Sequence, residues 1–489
     1  MSEFVTENER RTSITREVDV LVCGVGPAGF GAAVSAARSG VNTLALERYG
    51  FLGGGMTALN VTNLPMYTLV PVPELGITKP LVGGVYQELV ERLAKVGGAI
   101  LGKDVVQYSW KGKLRGVREG GTILTNTDSE SMKYTCQEMF DEANVKLLLH
   151  TIVVDAIVEN NVIRGVIVEN KSGRQAILAK IVIDCTGDGD VFANAGAPYE
   201  QTPGRARPKH ISALGLTFEW RIAGVDMEKA FPYLENRRKM NELLDSAYAR
   251  GEIPEPGPDM TAMGAGIQRR GNFFGSLAGS IGVLPYPYKW LRKGESIMWG
   301  PSISGDVTNT TDLTEAEINV REKVLPYLHW FRKNIPGFEE AYIAYTPAQI
   351  GIRESRRVVG EYILTGSGDI NQGRRHRDVV ARTFRWTGDT PLTDEDPLGP
   401  LFDIPYRCLV PLQIDNLLVA GRCISIDHRA ATFWEPREES TAMIIGDVAG
   451  TAAALCVKSY VKPRHLDVKT LQRALTKKGF NLYQPYEYI

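Results

Sequence analysis

Val18-Asp-Val-Leu-Val-Cys-Gly-Val-Gly-Pro-Ala-Gly29, running on through Phe30-Gly-Ala-Ala-Val-Ser-Ala-Ala-Arg-Ser-Gly40 to Thr43-Leu-Ala-Leu-Glu47, holds a complete dinucleotide-binding unit. Val18 to Cys23 is a short, apolar, β-branched run of the kind that forms a buried parallel strand. Gly24, Gly26 and Gly29 then give the G-x-G-x-x-G turn: the first permits the tight turn, the second lets backbone approach a pyrophosphate, the third allows close helix packing. Ala28 to Ser39 reads as a helix ended by Gly40. Its first turn, with Pro27 and Ala28, presents N–H groups and roughly half a positive charge to the phosphates. Glu47 lies eighteen residues after Gly29, at the end of a second strand over Thr43 to Leu46. An acid there accepts hydrogen bonds from both ribose hydroxyls and repels a 2′-phosphate. A lone G-x-G-x-x-G is a weak signal in a chain with 50 glycines; strand, turn, helix, strand and acid in this order are a strong one.

The chain continues Arg48-Tyr-Gly-Phe-Leu-Gly-Gly-Gly-Met-Thr-Ala58 and on to Asn63. Here it resembles the FAD-binding flavoproteins of the glutathione-reductase type. That resemblance implies FAD as cofactor, with Arg48, Gly53, Gly54, Gly55 and Met56 along its pyrophosphate and ribityl chain. Disulfide reductases of the superfamily carry two redox cysteines next, where this chain has Ala58 and Asn63, so a thiol–disulfide relay is excluded at that place. Ala179-Lys-Ile-Val-Ile-Asp-Cys-Thr-Gly-Asp-Gly-Asp190 resembles the segment by which such flavoproteins return to the FAD domain, which assigns Thr186 and Gly187 to the cofactor. Asn416-Leu-Leu-Val-Ala-Gly-Arg422 is another apolar strand and adds Gly421 and Arg422. Met443 to Leu455 reads as a small-residue helix. In the superfamily such a helix aims its N-terminus at the flavin pyrimidine ring, which would place Ile445, Gly446 and Asp447 there. Val153 falls where relatives touch the adenine through backbone.

Ile350-Gly-Ile-Arg-Glu-Ser-Arg-Arg-Val-Val-Gly-Glu-Tyr362 and Tyr406-Arg-Cys-Leu-Val-Pro411 resemble segments of the FAD-dependent oxidoreductases related to heterodisulfide-reductase and fumarate-reductase flavoproteins. The resemblance covers nearly the whole chain and implies fold and cofactor, but hardly a substrate. Fumarate-reductase relatives often attach FAD through a histidine beside the early glycine pair. No histidine precedes His150, so that attachment is not expected.

The expected fold class is α/β: a Rossmann-type FAD-binding domain with a parallel sheet, plus an inserted α+β substrate or cap domain. Residues 1–16 are read as a flexible polar arm, 17–200 as the first part of the FAD-binding domain, 201–345 as the cap and 346–489 as the return. Helices are expected near 84–96 and 131–143, and Val145 to Arg174 reads as a small antiparallel sheet with turns at Glu159-Asn-Asn161 and Lys171-Ser-Gly173. The cap is punctuated by Gly and Pro, carries aromatics (Phe273, Phe274, Tyr286, Tyr288, Trp290, Trp299) and one clear helix from Thr314 to Lys333, with Thr314-Glu-Ala-Glu317 as a capping box. Gly264-Ala-Gly266 through Gly271 lacks a preceding apolar strand and is set aside as a nucleotide loop.

Net charge is −1, which gives no global attraction to nucleic acid or an anionic membrane. Six scattered cysteines without C-x-x-C spacing argue against a metal or iron–sulfur site and suit a reducing cytoplasm. Residues 1–16 lack the apolar core of a signal peptide, and no run of about 18 apolar residues is evident. The partner is expected to be a small, anionic substrate molecule; assembly into a homo-oligomer stays open.

Chemistry must come from the flavin, with the protein supplying orientation and charge. Candidate groups are Arg353, Arg356 and Arg357, Tyr406 and Arg407, and Arg422, His428 and Arg429; His428, Arg353, Arg357 and Tyr406 are singled out as catalytic. At helical spacing Arg353 and Arg357 share a face and suit a carboxylate, or else form an ion-pair network with Glu354 and Glu361. His428 either reaches the isoalloxazine edge or caps a loop. The first function is a dehydrogenase or oxidase moving a hydride between a small organic molecule and flavin N5. The alternative is an NAD(P)H- and oxygen-using monooxygenase, for which Gly446-Asp447 is a superficial match. A structural subunit holding FAD passively is disfavoured by the aromatic-rich cap.

Overall fold

The computed structural model describes residues 9–59, 63–65, 83–99, 124–201, 216–234, 237–254, 294–303, 305–384, 401–432 and 437–482. The aromatic stretch of the expected cap, Phe273 to Trp290, and the loop from Gly264 to Gly271 lie outside them.

In chain order the elements are β1 (Ile14–Cys23), α1 (Pro27–Arg38), β2 (Thr43–Leu46), β3 (Asn63–Pro65), α2 (Gly84–Lys95), β4 (Leu124–Asn126), α3 (Ser129–Glu142), β5 (Lys146–Leu148), β6 (Ile152–Glu159), β7 (Val162–Asn170), β8 (Gly173–Asp184) and α4 (Asp190–Asn194). There follow β9 (Tyr199–Gln201), β10 (Leu216–Ala223), α5 (Met227–Leu234), α6 (Arg237–Ala249), β11 (Ser296–Ile303), α7 (Thr310–Asn334), β12 (Tyr342–Tyr345) and β13 (Arg356–Val358). The last are β14 (Val379–Phe384), β15 (Leu401–Pro405), β16 (Leu417–Val419), α8 (His428–Thr432), α9 (Glu439–Ser459) and α10 (Val468–Lys477).

The main sheet is α/β and parallel through β5-β2-β1-β8, with β16 parallel on the far side of β8. β8 is shared: its first half pairs antiparallel with β7, which pairs with β6, while its second half runs beside β1 and β16. Registers Cys23↔Leu46, Cys23↔Asp184 and Asp184↔Val419 bring four strand ends to one edge. Ligands of open α/β sheets bind outside such carboxyl ends, so the loops that follow become the site. The β6–β7 turn falls at Asn160 and Asn161, both with positive φ, a conformation asparagine tolerates better than most residues.

α1 and α9 cross through small residues. A Cβ on Gly446 would lie 1.9 Å from the Ala28 carbonyl oxygen, and one on Gly450 would lie 2.1 Å from that of Ala32. The Ser35 hydroxyl donates to Asp447 Oδ1 at 2.6 Å across this contact.

The second sheet, β11-β10-β12, is antiparallel. Alternation along β10 explains its two faces. Phe218, Trp220 and Ile222 join the core formed with Val320, Val324, Tyr327 and Phe331 of α7. Thr217, Glu219 and Arg221 take the other face, where Arg221 pairs with Asp128, the N-cap of α3, at 3.1 Å.

Several expectations are corrected. The polar arm ends earlier than residue 16, because Ile14 to Arg16 already pair with β8. α7 begins at Thr310: Asn309 caps it by accepting from the N–H groups of Thr311 and Asp312, while Glu317 serves elsewhere, accepting from Ile350 N at 2.7 Å. Arg353 to Arg357 is not helical; long-range pairing of Arg356↔Gln201 and Arg357↔Glu200 makes its end a strand. α9 is 21 residues of mean hydropathy 1.6, long and apolar enough to cross a bilayer, against the expectation that no such run exists. Its apolar window is 89% buried within the fold, the packing of a core helix.

Candidate functional site

The loops after β1, β2, β8 and β16 line one cleft together with Thr151 to Val153, and the second sheet closes its other side. Gly24 has φ +86°, and a Cβ there would fall 2.6 Å from the Cys185 carbonyl oxygen, so this turn accepts glycine alone. The N-cap of α1, Gly26, makes no side-chain hydrogen bond, which leaves the helix's first N–H groups available where Gly26, Pro27 and Ala28 line the cleft. A Cβ on Gly54 would lie 2.6 Å from Gly26 Cα. The two glycine segments thus form a floor without side chains, open to a pyrophosphate.

Glu47 is buried beside this floor, with Oε2 accepting from Val25 N at 2.8 Å and Oε1 from Tyr49 N at 3.0 Å. Burial raises its carboxyl above the usual value, against the lowering effect of those two N–H groups. Each oxygen keeps a further lone pair for a ribose hydroxyl. Asp184, pushed up to about 6 by burial, accepts from Thr186 N, Thr186 Oγ1 and Phe192 N and so shapes the turn that presents Thr186 and Gly187. Arg422 bridges the two walls, donating to Asp188 at 2.7 Å and to the Ile352 carbonyl at 2.9 Å. This donor set fits a flavin dinucleotide.

Of the residues expected at the cofactor, the cleft brings together Gly24, Gly26, Pro27, Ala28, Glu47, Arg48, Gly54, Gly55, Val153, Thr186, Gly187, Gly421 and Arg422. Gly29, Gly53 and Met56 stand behind it: Gly29 packs against the Gly24 carbonyl, Gly53 N donates to the Val25 carbonyl at 2.9 Å, and Met56 is buried core. Ile445, Gly446 and Asp447 are corrected. They lie well inside α9, where Gly446 meets Ala28 and Asp447 accepts from Ser35, Val85 N and Lys478. Because α9 starts at Glu439, its cleft residues are Glu439 and Ala442, with Arg437 and Glu438 before them.

Among the expected catalytic residues only Arg353 lines the cleft. Arg357 ties β13 to Glu200 and Glu354 at 3.4 and 3.5 Å. His428 opens α8 with Nδ1 4.0 Å from Glu354 Oε2. Arg356 pairs with Asp190 at 2.9 Å and Arg407 with Asp378 at 2.8 Å. The Tyr406 phenol is buried and donates to the Pro463 carbonyl at 3.0 Å. Tyr406→Phe is therefore expected to lower stability by about 1–2 kcal/mol, the cost of one buried acceptor left without its donor, with flavin spectrum and turnover unchanged. A large fall in turnover at unaltered melting temperature would restore Tyr406 to the chemistry.

The residues missed are Thr217 and Glu219 of β10, Gln349, and Arg437 to Glu439. Burial pushes Glu219 up to about 8 against the lowering pull of Arg353. Burial, then Arg437, brings Arg353 down to about 9. Glu438 and Glu439 are raised by burial too. Their signals were two charged residues inside an apolar strand, Leu216 to Ala223, and a charged triplet just before the small-residue helix.

Relatives bear on these observations. A tRNA uridine 5-carboxymethylaminomethyl modification enzyme of Lachnoclostridium phytofermentans is 28% identical over 222 residues, 44% of this chain and 31% of that protein. A thiamine thiazole synthase of Methanococcus vannielii is 28% identical over 179 residues, 35% of this chain and 56% of that one. The chain thus spans about a third to a little over half the length of these curated relatives. A geranylgeranyl bacteriochlorophyll reductase-like structure from Thermoplasma acidophilum overlaps 94% of the chain and 83% of its own, at 14% identity and a TM-score of 0.40. The profile of the FAD dependent oxidoreductase family matches residues 19–475, from within β1 to within α10. The chain belongs to that family, an enzyme family with FAD as its cofactor.

Proposed function

We propose that this flavoenzyme is a dehydrogenase or oxidase that moves a hydride between a small, anionic organic substrate and flavin N5, and that its wider kin are the glutathione-reductase-like flavoproteins. The observation that carries the reading is one cleft with two unlike walls: a glycine-floored dinucleotide cradle, and a charged wall of buried Glu219 and Arg353 with the partly buried Arg437, Glu438 and Glu439. Bound FAD supplies a two-electron acceptor at N5. Glu47 holds the ribose end and the α1 N-terminus the pyrophosphate. Arg353 and Arg437 orient the anionic group of the substrate, and the burial of Glu219 and Arg353 limits water at the reacting carbon. Neither curated relative's substrate is carried over.

The test is anaerobic titration of the yellow holoenzyme with hydroxy acids, amines, polyols and cyclic carbonyl compounds, read as loss of the flavin band. Bleaching by one of these without NAD(P)H is expected, and small carboxylates should compete. Rapid bleaching by NADPH that depends on an aromatic effector, with oxygen then found in the product, would replace this reading with monooxygenation.

A further inference from the structure

Glu219 occupies an unusual place for a carboxylate. It is the middle of three polar residues on one face of β10, only 9% exposed, and it lines the cleft opposite the glycine floor. Its neighbours on that face are engaged: Arg221 pairs with Asp128, and Thr217 exchanges backbone hydrogen bonds with Gly351. Among the described residues the Glu219 carboxyl has no hydrogen-bond partner and no ion pair within 4.0 Å, although Arg353 and Glu438 act on it through their charge. Its side chain is mostly withdrawn from water, and the oxygens it presents to the cleft lack a protein donor. A ligand in the cleft can supply that donor.

We propose that Glu219 is the proton acceptor of the reaction, taking the hydroxyl or amino proton of the substrate as the adjacent carbon is oxidised. The inference rests on the hydride-transfer reading above. In the step, the substrate C–H bond breaks with its electron pair and hydrogen passing to flavin N5. The O–H or N–H bond breaks with its proton passing to a Glu219 carboxylate oxygen, and the pair left behind forms the C=O or C=N bond. Substrate loses two electrons and two hydrogens; FAD gains a hydride and Glu219 a proton. The charged groups around Glu219 in the cleft are Arg353 from the segment before β13, Arg437 and Glu438 just before α9, and Glu439 at its first residue. Arg353 favours its charged form, and Glu438 and Glu439 oppose it. The balance, with burial, leaves it near the working pH, where a general base is most effective.

The test uses the holoenzyme and a substrate that bleaches it. In the parent protein the anaerobic bleaching rate should rise with pH through about 8, because the acceptor must be deprotonated. Glu219→Gln should lower that rate about 100-fold or more and abolish this inflection, with the flavin spectrum kept. Glu219→Asp should restore part of the rate and keep an inflection. Independently of turnover, carbon-13 NMR of glutamate-labelled holoenzyme should show a carboxyl titrating near 8 that is missing from Glu219→Gln. Should the glutamine variant lose its flavin, the aspartate variant and the titration of the parent protein decide. A substrate that bleaches Glu219→Gln at the parent rate and pH profile overturns the proposal while leaving the hydride reading intact. Failure of every substrate to bleach the parent protein counts against the hydride reading, and absence of any such titrating carboxyl counts against Glu219.

Discussion

Gly446→Val is expected to remove FAD retention and lower the unfolding free energy together, by about 4 kcal/mol or more. Even a single Cβ at Gly446 falls 1.9 Å from the Ala28 carbonyl oxygen, a backbone atom that cannot turn aside. Overpacking of a core commonly costs about 1–3 kcal/mol, and a clash of two helix backbones belongs at or above the upper end. To relieve it α1 and α9 must move apart, which strains the Ser35–Asp447 hydrogen bond and draws the α1 N-terminus away from the glycine floor. Thermal unfolding of the FAD-loaded and FAD-free proteins measures both effects. For comparison, Gly173→Asn should cost only about 1–2 kcal/mol, the strain of a side chain at φ +91°, because nothing lies within 4 Å of a Cβ there. A stable, yellow Gly446→Val protein would show that the crossing is looser than its geometry implies.

Glu47→Ala should weaken FAD binding by about 10- to 150-fold, the equivalent of one charge-assisted hydrogen bond to the ribose at about 1.5–3 kcal/mol. The same change orphans Val25 N and Tyr49 N, so the FAD-free protein should also melt earlier. Titration of apoprotein with FAD, followed by flavin fluorescence, separates the two effects. An earlier melting temperature with unchanged FAD affinity would mean that Glu47 only braces the turn and that another group holds the ribose.

The dinucleotide half was legible because its signals are local. Glycine spacing, a β-branched run and an acid after the second strand each follow from geometry within a few tens of residues, and the structure places Gly24, Gly26 and Glu47 on one cleft. The catalytic half was not, because it depends on pairings that no spacing encodes. Arg353 and Arg357 have helical spacing, yet partnership with β9, more than 150 residues earlier, makes Arg357 part of a strand and sends it to Glu200. The beginning of α9 was placed four residues late because Glu439-Ser-Thr reads as polar loop, and that small error moved the expected flavin contacts a full turn into the core. Glu219 was visible as a charge in an apolar strand, but which face of β10 meets the cleft depends on α7 occupying the other.

The α1–α9 crossing joins residues 412 positions apart, so the two walls of the enclosure are made at widely separated times. A ribosome releases α1 early and α9 late. In between, β1, α1 and β2 can pair and even offer phosphate-binding amides, but Arg437 to Ala442 do not yet exist to complete the cleft. Closing so long a loop adds only a slowly growing entropic penalty, about 0.6 kcal/mol for each doubling of length. The constraint is therefore one of timing more than of energy: a nascent chain cannot close the cleft around its cofactor until the 412 positions between the two contacting helix residues have been made.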